Sequence, residues 1–282
     1  MNTLAALLCL VPLAAFAASP EDDYIAARDK FIAQFRLKEG EQVTDAIAKG
    51  EVAARADLEK KMQALIGASS IKGVPEPGKL NLESLITGDM GFGMLEGLKY
   101  DLKGGTELLV TTRSFVEHWL KAEQEIWKDR PGYGFGTELG SALRSANFYT
   151  QAMASGAAVV RYADVPAPEG AVAMLIAHQQ DVGPVAPKEL IVAVRRGERL
   201  YIWNAPVTAK TTMILACKAI WDAAMQKKKG AYGKNAAGAD TPARIEDAGD
   251  EAMRACYNER AKAQPFFPAL VKQAQELADR TK

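Results

Sequence analysis

The amino-acid sequence predicts an α+β fold, with an N-terminal helical hairpin and a mainly antiparallel sheet covered by helices. Three features carry that expectation. Apolar side chains between Tyr24 and Leu65 recur every three or four places, the spacing of helices buried along one stripe. From Ala157 onward the pattern changes to short runs rich in Val, Ile and aromatic residues, bounded by Gly and Pro. Two of those runs, 174–177 and 191–194, are apolar at every position, which suits strands packed on both faces and not a sheet half open to water.

The chain opens with an apolar run over residues 4–17 that carries no charge, is interrupted by Pro12 and soon meets Glu21, Asp22 and Asp23. Such a run is too short and broken for a stable bilayer span, but it fits a secretory leader, with Ala15 and Ala17 as the small residues before a cut. A signal peptide over 1–17 is therefore expected, with residues 18–282 as one α+β domain in the periplasm or outside the cell. Within it, 18–67 form the helical hairpin and 80–282 the sheet and covering helices. Cys9 lies early in the apolar run behind bulky Leu8, so it is not read as a lipid-attachment site.

Each element has a local reason. Ser19 is an N-cap, Pro20 takes the first helical position, and the acids that follow suit the positive end of the helix dipole. Tyr24, Phe31 and Phe35 are its expected buried stripe. The second helix, 43–67, should bury Val43, Ile47, Leu58, Met62 and Leu65. Residues 67–79 are a Gly-, Ser- and Pro-bearing connector, and 97–112 read as a β-hairpin turning at Gly104 and Gly105. Ser114 and Glu117 have capping-box spacing and should open the next helix. Strands are expected over 157–162, 171–177, 189–194 and 199–204, the last two joined at Arg196 and Gly197. Helices over 211–225, from Pro242 and from Phe266 supply the cover.

Lys and Arg together number 35, as do Asp and Glu, so the chain has no net charge to draw it toward nucleic acid or anionic membrane. Neither is expected as a partner, and no transmembrane anchor is expected. Removal of the leader leaves two cysteines, Cys217 and Cys256, each on the apolar stripe of its predicted helix. An oxidising compartment favours a disulfide between them, which would contribute about 3 to 4 kcal/mol in the chain-entropy model. No third or fourth soft ligand stands at metal-binding spacing, so no metal is assigned.

The most motif-like stretch is "RPGYGFGTELGSALRS", residues 130–145. A dinucleotide fingerprint needs a strand running into its glycines, whereas here a predicted helix precedes them, and no Gly-Lys-Ser or Gly-Lys-Thr follows. The glycines are read as a connector, and no cofactor is expected. Tyr133 and Phe135 are its candidate contact residues. The Gly-Phe-Gly of this stretch also occurs at 91–93, a recurrence that chance in a glycine-bearing chain explains. Ser69 stands three residues before Lys72, the spacing of a serine nucleophile and its lysine, but Gly73, Pro75 and Pro77 forbid the helix that would join them. The two histidines, His118 and His178, lack a nucleophile elbow or a His-Glu-x-x-His pattern beside them. No catalytic residue is assigned.

The segment "QKKKGAYGKNAAGAD" lies between the two cysteines and offers Lys227, Lys228, Lys229 and Tyr232 for contact with a protein partner. The function expected is an exported protein that binds another protein, such as an inhibitor or immunity factor. Two alternatives remain: a cell-envelope hydrolase using carboxylates or a histidine, and a carrier for a small apolar ligand.

Overall fold

The computed structural model describes residues 19–38, 40–66, 71, 73–74, 77–82, 95–117, 159–179, 186–207, 217 and 250–282. It is an α+β fold in which a seven-stranded, wholly antiparallel sheet carries an N-terminal helical pair and two C-terminal helices.

Helix α1 (Pro20–Phe35) begins at a complete capping box: the Asp22 N–H donates to Ser19 Oγ at 3.1 Å, and the Ser19 N–H donates to the Asp22 carboxylate at 3.2 Å. Tyr24, Phe31 and Phe35 are buried, as their spacing predicts. Helix α2 (Asp45–Ile66) runs antiparallel to it, since Lys61 near one end pairs with Asp23 and Gly50 near the other meets Phe35. Leu58 and Met62 are buried as expected. Three other positions differ, of which Ile47 is half-buried. Val43 precedes the helix and is 46% exposed, and the deepest residue of the last turn is Ile66, with Leu65 half-buried beside it. A one-residue step rotates a helical side chain by about 100°, enough to exchange the two.

The sheet order is β1-β2-β3-β7-β6-β5-β4, with β1 (Lys79–Asn81), β2 (Gly97–Asp101), β3 (Glu107–Thr112), β4 (Val159–Val165), β5 (Ala171–Gln179), β6 (Ala186–Arg196) and β7 (Arg199–Pro206). Strands β2 and β3 form the predicted hairpin. Gly104 and Gly105 have φ of 78° and 75°, left-handed values that favour glycine, and the Leu102 N–H closes the turn on Thr106 O at 2.8 Å. The β6–β7 turn falls on Gly197 and Glu198, one residue beyond the expected pair, because Arg196 is still in register with Arg199. Strand β1, which begins at the last residue of the connector, is too short at three residues to show a pattern in the sequence. Strand β6 reaches back through Pro187, where the register with β5 shifts at Ile176 and Ala177, an irregularity that accommodates a residue without an N–H.

The runs apolar at every position serve two faces. Leu190, Val192, Val194, Ala173 and Leu175 join Tyr201, Trp203, Leu98, Leu108 and the helices in one buried cluster. Ile191, Ala193, Met174 and Ile176 join Leu200, Ile202, Leu95 and Val116 in a second, on the opposite face. The first face is covered by α1, α2 and two C-terminal helices, α3 (Asp250–Lys262) and α4 (Phe267–Asp279).

The helix expected to be capped by Ser114 is capped two residues earlier. Residues 113–117 are helical, and Thr112 Oγ1 accepts the Phe115 N–H at 3.3 Å, so Thr112 is the cap. Ser114 lies inside the turn and donates its hydroxyl to Glu21, while Glu117 takes Arg113 Nε at 2.7 Å. The strand decides this, because β3 carries the chain in extended form only as far as Thr112.

Candidate functional site

Residues 256, 257 and 258 of α3 tie this helix down in three different ways. Cys256 is bonded to Cys217, with sulfurs 2.07 Å and Cα atoms 6.1 Å apart across a separation of 39 residues. Tyr257 is buried in the core together with Ala261, one turn further on. Asn258 faces the outer edge of β4: its Oδ1 accepts the Asp164 N–H at 2.7 Å, and its Nδ2 donates to an Asp164 carboxylate oxygen at 2.9 Å. A covalent link, apolar burial and a paired hydrogen bond thus meet within one turn.

Cys217 is 2% exposed, as its apolar setting predicts; the rest of the helix expected over 211–225 lies outside the described residues. Cys256 is half-buried and packs against the same core, as its apolar setting predicts, beside the buried Tyr257 and Ala261.

The other end of the sheet is held in an analogous way. The Leu80 N–H on edge strand β1 donates to Glu59 Oε2 at 3.3 Å, and Arg55 donates to the Leu80 and Leu82 carbonyls. Both α2 residues occupy backbone groups that an edge strand otherwise leaves open to another chain.

The most buried cluster of charge among the described residues joins α1 to the start of β2. Tyr24 OH donates to Glu96 at 3.1 Å and Arg28 Nη1 donates to the same carboxylate at 2.9 Å, while Arg28 also pairs with Asp29 at 2.9 Å. Arg28 and Glu96 are 12% and 19% exposed, so water screens the pair only in part. Burial drives the Tyr24 hydroxyl pKa far upward, and the Glu96 charge and hydrogen bond add to it. Burial works against the Arg28 charge, but Glu96 and Asp29 outweigh it and its pKa rises. A phenol held neutral and a guanidinium held charged supply neither a nucleophile nor a base. Their role is to dock α1, aided by the edge-to-face packing of Tyr24 on Phe115 at 5.6 Å.

The contact residues expected from the sequence, Tyr133, Phe135, Lys227, Lys228, Lys229 and Tyr232, lie outside the described residues, as do His118 and both Gly-Phe-Gly stretches. His178 takes a register position opposite Val160 and Ala186 in the ladder; its side chain is outside the description. No group of three or more possible metal ligands occurs among the described residues, and none of their helices is long and apolar enough to cross a membrane.

Sequence reasoning missed Asn258, Arg55 and Glu59. Their partners lie 94, 25 or 27, and 21 residues away, so no local pattern marks them. An Asn inside a helix next to its buried side, where it gains nothing for the helix itself, is the one signal present. No family model matches this chain, and no curated protein and no solved structure matches it.

Proposed function

We propose that this is an exported protein that acts by binding another protein, as an inhibitor or immunity factor does, through the segment holding Lys227, Lys228, Lys229 and Tyr232. The observation that carries the reading is the bond between Cys217 and Cys256. It links residues on either side of that segment, holding Cys217 and Cys256 with their Cα atoms 6.1 Å apart, and Tyr257 and Asn258 anchor the Cys256 side to the core and the sheet. A contact segment with a fixed base loses less conformational freedom on binding than a free one, which favours affinity. Three lysines within three residues suit a partner with an acidic patch, and Tyr232 supplies an aromatic anchor. Tyr133 and Phe135 are proposed as a second contact of the same kind. Export follows from the leader pattern over 1–17 and agrees with a cysteine pair that forms in an oxidising compartment.

The reading is tested by a photo-crosslinking residue at position 228, in the leader-less chain exposed to the envelope and extracellular fraction of the source cells. One dominant protein adduct is expected, lost when excess unlabelled chain competes. Absence of any competed adduct refutes the proposal.

A further inference from the structure

We infer that the open end of the helical hairpin is a binding site for a small amphipathic carboxylate, a molecule with an apolar tail of about ten non-hydrogen atoms. The inference is independent of the protein-partner reading and uses other residues. Helix α1 ends at Phe35, and Arg36 leaves in an extended conformation with its N–H on Ile32 O at 3.0 Å. The chain reverses where Glu41 N–H donates to Lys38 O at 2.9 Å and the Lys38 N–H donates to the Glu41 carboxylate at 3.0 Å. It then enters α2, where Thr44 Oγ1 accepts the Ile47 N–H at 3.3 Å. The reversal leaves a cavity of about 350 Å³ between the last turn of α1 and the first turns of α2.

That volume is at the small end of ligand sites, and at the molecular volume of liquid water it holds roughly ten heavy atoms. Its walls divide by chemistry. Phe35, Leu37, Ala46 and Ile47 are apolar, and Gly50 lets the Phe35 ring lie close to α2, since a Cβ there would stand 3.3 Å from Phe35 Cε1. The polar groups are Gln34, Arg36 and Glu41. The charged Glu41 is held by the loop, where it accepts the Lys38 backbone N–H, and Arg36 forms no ion pair with another described residue. The wall therefore offers an apolar surface, a guanidinium, an amide and the loop-held Glu41 carboxylate, and the guanidinium is the group that a ligand carboxylate engages. A carboxylate can take two parallel hydrogen bonds from such a guanidinium while its tail displaces water from Phe35, Leu37 and Ile47.

The test titrates the isotope-labelled, leader-less chain with 4-phenylbutyrate and separately with 4-phenylbutylamine, following backbone amides by NMR. Saturable shifts at Phe35, Leu37, Ile47 and Gly50 are expected with the acid, at an affinity at least about tenfold above that of the amine, the factor that one charge-assisted bond supplies. Arg36 is exposed, so Arg36→Gln leaves the fold intact and should lower affinity for the acid about tenfold. Ile47→Phe, which fills the cavity from a half-buried position, should abolish binding while the spectrum away from the hairpin is unchanged. Shifts that do not saturate, equal affinity for acid and amine, or an Arg36→Gln variant that binds as tightly as the parent would each overturn the inference.

Discussion

Asn258 holds Asp164 by two hydrogen bonds, 2.7 Å to its backbone N–H and 2.9 Å from its carboxylate, so a helical side chain completes the outer edge of β4. At the far edge of the sheet, Arg55 and Glu59 do the same for β1. Neither edge strand presents its full row of open backbone groups. For a chain with no net charge, such cover is a defence against edge-to-edge association.

Asn258→Ala removes both bonds and leaves the part-buried Asp164 N–H without that acceptor. Unfolding in urea should show a loss of about 1 to 3 kcal/mol, and size-exclusion chromatography should show association that grows with concentration. An unchanged midpoint and a single monomer peak would count against edge cover as its role.

Arg55→Met keeps the aliphatic stem and removes the guanidinium from the Leu80 and Leu82 carbonyls. A similar loss of about 1 to 3 kcal/mol is expected. Because β1 and β4 are opposite ends of the sheet, the double variant with Asn258→Ala should lose the sum of the two to within about 0.5 kcal/mol.

The Tyr24 hydroxyl gives a pH signature. Its pKa in the folded chain lies well above that of an unfolded tyrosine, about 10, chiefly through burial. Below pH 10 both states are neutral and its contribution is intact. Above pH 10 the unfolded chain releases the proton and the folded chain does not, so stability falls by about 1.4 kcal/mol per pH unit from this group. Tyr24→Phe should flatten the alkaline slope by that amount, measured by denaturation between pH 9 and about 11.5. At neutral pH it should lose about 1.5 to 3 kcal/mol with the bond to Glu96.

Much of this fold was legible locally. The Ser19 capping box, the Tyr24, Phe31 and Phe35 stripe and the Gly104–Gly105 turn each depend on groups within a few residues, and each forms as the sequence predicts. What failed did so where two local signals competed or where the deciding contact was distant. Ser114 had the better capping spacing, yet Thr112 caps because it is the last residue of β3. The pairing of β3 with β7 joins Val110 to Tyr201, and nothing near either residue encodes the choice. The candidate site was legible in its cysteines, where two apolar contexts and the leader pattern over 1–17 implied a bond. It was not legible in Asn258, whose partner is a strand residue 94 positions away.

Arg280 stacks over the Trp203 ring at 4.6 Å from its centre, closing the core below the last turn of α4. Arg280→Ala should cost about 0.5 to 1 kcal/mol, and Arg280→Lys should recover part of that, as read from urea midpoints.

Cys217→Ser should lower unfolding stability by about 3 to 4 kcal/mol in non-reducing buffer and leave it equal to the parent in dithiothreitol. Equal melting points in both buffers would mean that the bond does not form in the purified chain.

The charge of the disulfide-bracketed segment is the direct test of protein binding. The oxidised, leader-less chain and its Lys227→Glu, Lys228→Glu, Lys229→Glu triple variant would each be immobilised and exposed to the same envelope and extracellular fraction, and any retained protein purified and its affinity measured. One acidic protein bound stoichiometrically by the parent, and at least about tenfold more weakly by the triple variant, is the predicted result. No retained protein, or equal affinity for both chains, would contradict it.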